Sequence, residues 1–207
     1  MVNKIIDLSY EISQKTLSHP FDKPVKLFQD RFLDKDKYNG YRFETGLHVG
    51  THIDTPMHLT DNKKYISEFS LEQFCGQGRL LDMRDKTTSR LKSEYEKEIN
   101  EGDIVLLYTG HDQKWGTESY FRNYPLIESD LCQFLIEKKV KMVGMDLPGP
   151  DTFPFAIHKS FFSANILIIE NLANLSLLLH EKNFEIFTFP LKIMAEASPV
   201  RVVAKIT

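Results

Sequence analysis

The chain of 207 residues has few cysteines and no long apolar run. Cys75 and Cys132 are too few for a disulfide framework, which predicts free thiols in a reducing compartment. The most apolar stretch, residues 164–179, is interrupted by Asn165 and Glu170, so it lacks the run of about 20 apolar residues that spans a bilayer. The first residues also lack the apolar core of a signal peptide. We therefore expect a cytoplasmic protein with no membrane partner.

An excess of charge of one sign is also missing. The 26 basic and 29 acidic residues leave a net charge of -3, so composition gives no indication of nucleic-acid binding. Hydrophobic residues make up 42% and charged residues 27%, which is typical of a globular protein and excludes a disordered chain. No internal repeat or linker divides the sequence, and we therefore predict that residues 1–207 form one domain.

Apolar patterning predicts alternating strands and helices. The runs at residues 104–107 and 166–169 are apolar without alternation, as expected for strands covered on both faces. The fold class is therefore α/β, a mixed sheet with flanking helices. We predict strands at residues 4–10, 42–49, 79–83, 103–109, 140–145, 166–169, 184–189 and 200–206, and helices at 70–74, 91–99 and from an N-cap at Ser129. Residues 22–38 have no steady period and are predicted to be a long loop or flap.

Three of the seven histidines fall within HVGTHIDTPMH, residues 48–58. An extended chain would send His48, His52 and Asp54 to one face, because side chains alternate along a strand. Gly50 and Pro56 argue against a helix here. Two imidazoles and one carboxylate are a common ligand set for a catalytic divalent metal. His58 is either a further ligand or a free acid/base beside the metal, and spacing alone leaves both open.

Residues 48–58 resemble the signature His-x-Gly-Thr-His-x-Asp-x-Pro-x-His of the metal-dependent cyclase family of hydrolases, which includes bacterial kynurenine formamidase. Every fixed position of the signature matches. The resemblance extends over almost the whole chain, through IDLS at residues 6–9, VGMD at 143–146 with Pro148, His158, IIENL at 168–172, FPLK at 189–192 and SPVR at 198–201. It implies a swivelling β/β/α fold and assembly into homodimers or larger homo-oligomers.

The resemblance also implies roles for individual residues. One Zn²⁺ would be held by His48, His52 and Asp54. Asp54 would bridge to a second Zn²⁺ held by His158 and Glu170, with Mn²⁺ as the alternative metal, and His58 would be the acid/base. The residues themselves support the second pair less strongly. Glu170 follows a buried strand, where a carboxylate is costly unless it is paired, whereas His158 follows a segment with no clear secondary structure.

One segment departs from the family pattern. Where family formamidases tend to carry an aromatic-Pro-Gly-Asp sequence that helps to hold the substrate ring, this chain has His19-Pro20-Phe21-Asp22. His19 or Phe21 could still contact a ring, and the predicted loop at residues 22–38 could close over the site or pack against a neighbouring subunit. The substrate is therefore left open.

The resulting hypothesis is hydrolysis of a small-molecule amide, with an N-formyl aryl amide as the first candidate substrate. Metal-activated water would attack the amide, and His58 would be the acid/base. For the family this implies arylformamidase activity in tryptophan catabolism. A cyclic amide or ester, as in isatin hydrolases, is the alternative substrate.

Two other classes are weaker alternatives. In a non-haem iron oxygenase, His52, Asp54 and a distant His111 or His158 would form the metal triad. In a metal-stabilised binding module, the ion would be structural, although structural zinc sites are usually closed and often use cysteine.

Overall fold

The computed structural model describes residues 4–84 and 95–207. Within these ranges there are eleven strands, nine in one sheet and two in a separate hairpin. In chain order they are β1 (Ile5–Asp7), β2 (Lys26–Arg31), β3 (Gly40–Glu44), β4 (His52–Asp54), β5 (Cys75–Asp82), β6 (Ile104–Tyr108), β7 (Met142–Met145), β8 (Leu167–Glu170), β9 (Phe184–Phe187), β10 (Ala197–Pro199) and β11 (Val203–Ile206). Each of the eight predicted strands overlaps an observed one, most with shorter bounds. β5 begins four residues earlier than predicted, and β2 and β10 were not predicted.

The large sheet is mixed, in the order β1-β11-β9-β5-β6-β7-β8-β4-β10. Its four central strands, β5 to β8, are parallel, and the outer strands pair antiparallel. The parallel strands are buried on both faces, because Val105 and Leu107 of β6 pack into one core while Ile104 and Leu106 pack into the other. The predicted α/β class with a mixed sheet is confirmed. The single domain spanning residues 1–207 stays a prediction.

Four α-helices are described: α1 (Leu33–Asp36), α2 (Tyr95–Glu98), α3 (Ser129–Glu137) and α4 (Ala156–Ser163). Short 3-10 helices lie at Pro56–His58, Ile66–Glu68, Leu71–Phe74, His111–Lys114, Glu118–Phe121 and Leu175–Leu178. Helix α3 begins at Ser129, so Glu128 and not Ser129 is its N-cap. Of the predicted helix at 91–99, residues 91–94 lie outside the described residues. In the described part of the chain, no helix combines the length and hydropathy needed to cross a membrane.

The predicted loop at residues 22–38 is wrong. β2 and β3 pair antiparallel as a hairpin, with α1 in the connection between them. In the described part of the chain the hairpin pairs with no strand of the large sheet, and its side chains are exposed or half-buried. Because neither face is buried, the sequence carries no clear alternation of apolar and polar residues. The predicted strand at 42–49 likewise ends early, at Glu44.

Two residues of the VGMD segment connect β7 to its neighbours. A Cβ atom on Gly144 would lie 2.7 Å from Leu172 Cδ1 and 2.8 Å from Leu106 Cδ2, so only glycine fits there without displacing them. The buried Asp146 carboxylate accepts hydrogen bonds from the Thr109 hydroxyl and from the N–H groups of residues 109–111. These contacts hold the carboxyl ends of β6 and β7 together. The neighbouring strand β8 ends at Glu170 on the same side of the sheet.

Candidate metal centre

Strand β4 carries the second histidine of the motif and its aspartate. It lies between β8 and β10, and His52 and Asp54 project to the same side because they are two residues apart. The register places His52 opposite Glu170, with His52 Nε2 3.3 Å from Glu170 Oε2. The other ring nitrogen, Nδ1, donates to the Gly50 carbonyl oxygen at 2.9 Å, which leaves Nε2 facing the carboxylates.

His48 reaches the Asp54 carboxylate through a bend in the chain. Gly50 has φ +59°, a left-handed conformation that glycine adopts without strain, and residues 47–51 form bends. His48 is therefore not on an extended strand, yet its Nδ1 lies 2.9 Å from Asp54 Oδ1. The structure thus brings His48, His52 and Asp54 together, although the bend and not strand parity orients the first of them.

His58 lies beside these three residues at the end of the 3-10 helix Pro56–His58. Its ring centroid is 4.2 Å from that of His48. Burial, reinforced by the nearby His48, lowers the pKa of His58 in spite of the opposing Asp54 charge, so its ring is neutral near pH 7. His48, Asp54 and His58 also offer ligand atoms within 4.8 Å of one another. The geometry is therefore compatible with both roles that the spacing left open.

His158 and Glu170 come to the site from the other side. His158 lies on α4, so the prediction that its segment has no secondary structure is wrong; the αL residue Phe155 just before the helix conceals the boundary in the sequence. Its Nε2 is 3.2 Å from Glu170 Oε1. Gly149 leaves room for this pair, because a Cβ there would lie 3.2 Å from Glu170 Oε1.

The residues fit a divalent cation. Asp54 belongs to two groups whose ligand atoms lie within 4.8 Å of one another, one with His48 and His58 and one with His52 and Glu170. His52 Nε2 and Asp54 Oδ1 are buried, and within the described residues neither makes a hydrogen bond of good geometry, although each has a charged neighbour, at 3.3 Å (Glu170 Oε2) and 2.9 Å (His48 Nδ1) respectively. Buried polar atoms without a well-formed hydrogen bond are rare and cost about 1–3 kcal/mol each, and a bound cation would satisfy both. Both atoms point toward the other candidate ligands, as metal coordination requires.

Electrostatics in the metal-free protein follow from the same contacts. Burial opposes the charged form of His48, but the Asp54 carboxylate outweighs it and raises the His48 pKa to about 10. Burial likewise opposes the charged form of His158, and its hydrogen bonds to Asp151 and Glu170 raise its pKa to about 9. Burial would raise the pKa of Asp54, yet the neighbouring His48 and His52 hold it well below its usual range. These histidines thus balance the buried carboxylates.

The site opens into a cavity of about 540 Å³. Its lining includes His19 and Phe21 of the departing segment, together with aromatic residues that the sequence analysis missed, namely Phe121, Tyr124, Phe153 and Phe155. The rings of Phe21 and Phe153 are 93% and 83% exposed, so they are free to contact a ligand. The closely spaced Phe153 and Phe155 just before His158 were the sequence feature that could have indicated an aromatic lining. His111 is absent from this lining and bonds through Nε2 to the Tyr120 carbonyl oxygen, so it does not complete an iron triad.

Comparisons with known proteins agree with this architecture. The family described as "Putative cyclase" matches residues 6–152. A kynurenine formamidase of Bacillus thuringiensis subsp. konkukian is 29% identical, over 97% of this chain and 96% of the relative. Isatin hydrolase A from Labrenzia aggregata, bound to benzyl benzoate, superposes with a TM-score of 0.87 at 22% identity, over 99% of this chain and 94% of that one.

A predicted metal-dependent hydrolase from Bacillus stearothermophilus superposes with a TM-score of 0.79 at 24% identity, over 99% of each chain. These structural similarities show a shared fold, and the sequence match extends over more than two thirds of the chain. With the HVGTHIDTPMH motif folded around a shared carboxylate, they lead to one conclusion: the chain belongs to the cyclase family, the metal-dependent hydrolases that its motif resembles.

Proposed function

We propose that this protein is a metal-dependent hydrolase of small aryl amides, with N-formyl aryl amides as the first candidate substrates. The observation that carries the proposal is the sharing of Asp54 between two groups of candidate ligands at one side of an aromatic-lined cavity. The kynurenine formamidase relative supports an amide substrate.

The proposed cofactor is Zn²⁺, two ions per chain, with Mn²⁺ as the alternative. By the family resemblance, His48, His52 and Asp54 would hold one ion, and Asp54, His158 and Glu170 the other. Without ions the side chains group differently, with Asp54 close to His48 and His58 on one side and to His52 and Glu170 on the other. When bound, such ions lower the pKa of water and polarise a carbonyl group. A nitrogen and oxygen ligand set without cysteine is compatible with either metal.

His58 supplies the proton transfer in this proposal. Its ring lies next to His48 and faces the cavity, and its lowered pKa leaves it neutral near pH 7. A neutral imidazole can accept a proton from water and then donate it to the departing nitrogen, which is too basic to leave as an anion. The chain thus provides both the base and the acid through one side chain.

The cavity lining supports an aromatic substrate without a negative charge. Five of the lining residues are phenylalanines or tyrosines, and two of these five are largely exposed. The cavity lining, drawn from residues 4–84 and 95–207, contains no lysine or arginine and includes the carboxylate of Asp22. A neutral aryl formamide can stack on the rings, whereas an anionic one would find no lysine or arginine in this lining and would be repelled by the Asp22 carboxylate.

Turnover of a substrate panel tests the proposal. Zinc- and manganese-loaded protein is mixed with formanilide, N-formylanthranilate, isatin, an aliphatic formamide and a lactone, and product is followed by absorbance or chromatography. We expect formanilide to be cleaved with a higher kcat/KM than N-formylanthranilate, and protein treated with a chelator to be inactive. Failure to cleave any amide or lactone with either metal would contradict the proposal.

A cyclic amide or ester is the second candidate substrate class. The fold neighbour isatin hydrolase A binds benzyl benzoate, an aromatic ester. The cavity of this chain is wide enough for such a ring system, at about 540 Å³. Faster turnover of isatin or the lactone than of formanilide in the same panel would favour this candidate.

We further propose that the protein is a homo-oligomer in the cytoplasm, where its free Cys75 and Cys132 stay reduced. The β2–β3 hairpin supports the oligomer, because it exposes Phe28, Tyr41 and Phe43, and an isolated two-stranded hairpin is marginally stable in water. Light scattering should give at least twice the 24.1 kDa chain mass. The double variant Tyr41→Ser/Phe43→Ser should shift it toward that of the monomer, whereas a monomeric wild-type protein would contradict the proposal.

A further inference from the structure

We propose that Asp151 is a positioning residue that orients His158 for metal binding, an inference that rests on the proposed metal-dependent function. Asp151 lies seven positions before His158, in the connection between β7 and α4. The sequence alone does not indicate that the two side chains are in contact.

The three side chains Asp151, His158 and Glu170 form a buried row. Asp151 Oδ1 lies 2.5 Å from His158 Nδ1, and His158 Nε2 lies 3.2 Å from Glu170 Oε1. The side chains are 10%, 6% and 8% exposed, respectively. Little solvent therefore competes for these contacts, and hydrogen bonds to charged groups are stronger than neutral ones.

The hydrogen bond determines which ring nitrogen is free. Because Asp151 is the acceptor, His158 carries a proton on Nδ1 and donates it. Nε2 would give up its proton to bind an ion, and its lone pair would then face the side of Glu170, where the ion would lie. A carboxylate in this position fixes the ring orientation and makes the imidazole a better ligand.

The second oxygen of Asp151 fixes the backbone that carries His158. Asp151 Oδ2 accepts a hydrogen bond from the Ile157 N–H at 2.6 Å, at the second residue of α4. The N-cap of this helix, Phe155, makes no side-chain cap of its own. One carboxylate therefore holds both the first turn of the helix and the ring that projects from it.

The other candidate ligand histidines are held differently, which supplies a matched control. His52 donates to a backbone carbonyl, and His48 Nε2 lies 3.3 Å from Glu196 Oε1, whose side chain is 35% exposed. Glu196 makes a longer and more solvated contact than Asp151, so its loss should matter less. Glu196→Gln removes one outer carboxylate from the His48 side, just as Asp151→Asn does from the His158 side.

Metal binding by the Asp151→Asn variant tests the inference without relying on turnover. The asparagine oxygen can accept only one of the two hydrogen bonds through its carbonyl, and its NH₂ group cannot accept from His158. Zinc affinity is measured by competition with a chromophoric chelator and stoichiometry by elemental analysis. The absorption spectrum of the cobalt-substituted protein reports the ligand field. Circular dichroism and thermal melting check that each variant is folded.

We expect Asp151→Asn to weaken binding of one ion by about 10- to 100-fold and to change the cobalt spectrum, with the other ion retained. Glu196→Gln should have a smaller effect, and Asp151→Glu should recover part of the affinity. If Asp151→Asn does not fold, Asp151→Glu decides, since a longer carboxylate displaces the ring and should alter the cobalt spectrum. Unchanged affinity and spectrum in the folded variant would overturn this inference alone. A wild-type protein that binds no divalent metal would overturn the proposed function as well.

Discussion

Replacing His58 by alanine is expected to lower kcat for an aryl formamide by about 10²–10⁴-fold while the protein keeps its full metal content. The expected loss is large because burial lowers the pKa of His58, and its ring lies next to His48 and within reach of Asp54. Steady-state kinetics measure the loss, and elemental analysis of the purified variant measures the metal.

The exposed His180 supplies the control, because it lies outside the cavity lining and its alanine variant should keep wild-type turnover. Added imidazole should restore part of the activity of His58→Ala, since a free base can enter the space left by the ring. If the variant instead loses a metal ion, His58 is a ligand, and the acid/base assignment is wrong.

Replacing Asp54 by alanine is expected to remove metal and activity together. Asp54 is 1% exposed and belongs to both groups of candidate ligands, so its loss should affect both ions at once. The remaining His48 and His52 would also lose the carboxylate that holds their pKa values high. Zinc stoichiometry and turnover of the same preparation test the prediction.

Asp61→Ala is the matched control, because Asp61 is an exposed aspartate a short distance along the chain and lies outside the candidate ligand groups. It should leave both metal content and turnover unchanged. Normal metal content in Asp54→Ala would show that Asp54 does not bridge two ions.

Local patterns predicted one half of the site. The motif at residues 48–58 places two histidines and a carboxylate within a few positions, so their proximity needs little information about the rest of the fold. The strand parity argument holds for His52 and Asp54. It fails for His48, which reaches Asp54 through the bend at Gly50, because parity says nothing of a chain that leaves the extended conformation.

The other half depends on contacts that sequence patterns do not encode. Glu170 lies opposite His52 only because β8 pairs with β4, and His158 joins them only because α4 packs beside β8. Their assignment came from the family resemblance and not from periodicity. The sequence did not predict the role of Asp151. This residue bonds to Nδ1 of His158, the ring nitrogen that faces away from Glu170, and such a contact requires no fixed spacing in the sequence.

The hairpin shows a different failure. β2 and β3 pair with each other and leave both faces partly exposed, so burial imposes no alternation on residues 26–44. Buried strands such as β6 and β8 were predicted because packing on two faces demands continuous apolar residues. Strands that are buried on both faces were thus predicted more reliably than strands that are exposed.

The position of β4 between β8 and β10 has a consequence for biosynthesis. Thr51 bonds to Asn171 across 120 positions, and His48 contacts Glu196 across 148. Loop closure over such separations is slow compared with local helix formation. A chain emerging from the ribosome therefore exposes its motif histidines before their distant partners exist, and the proposed two-ion site can be complete only after residue 170 has been synthesised.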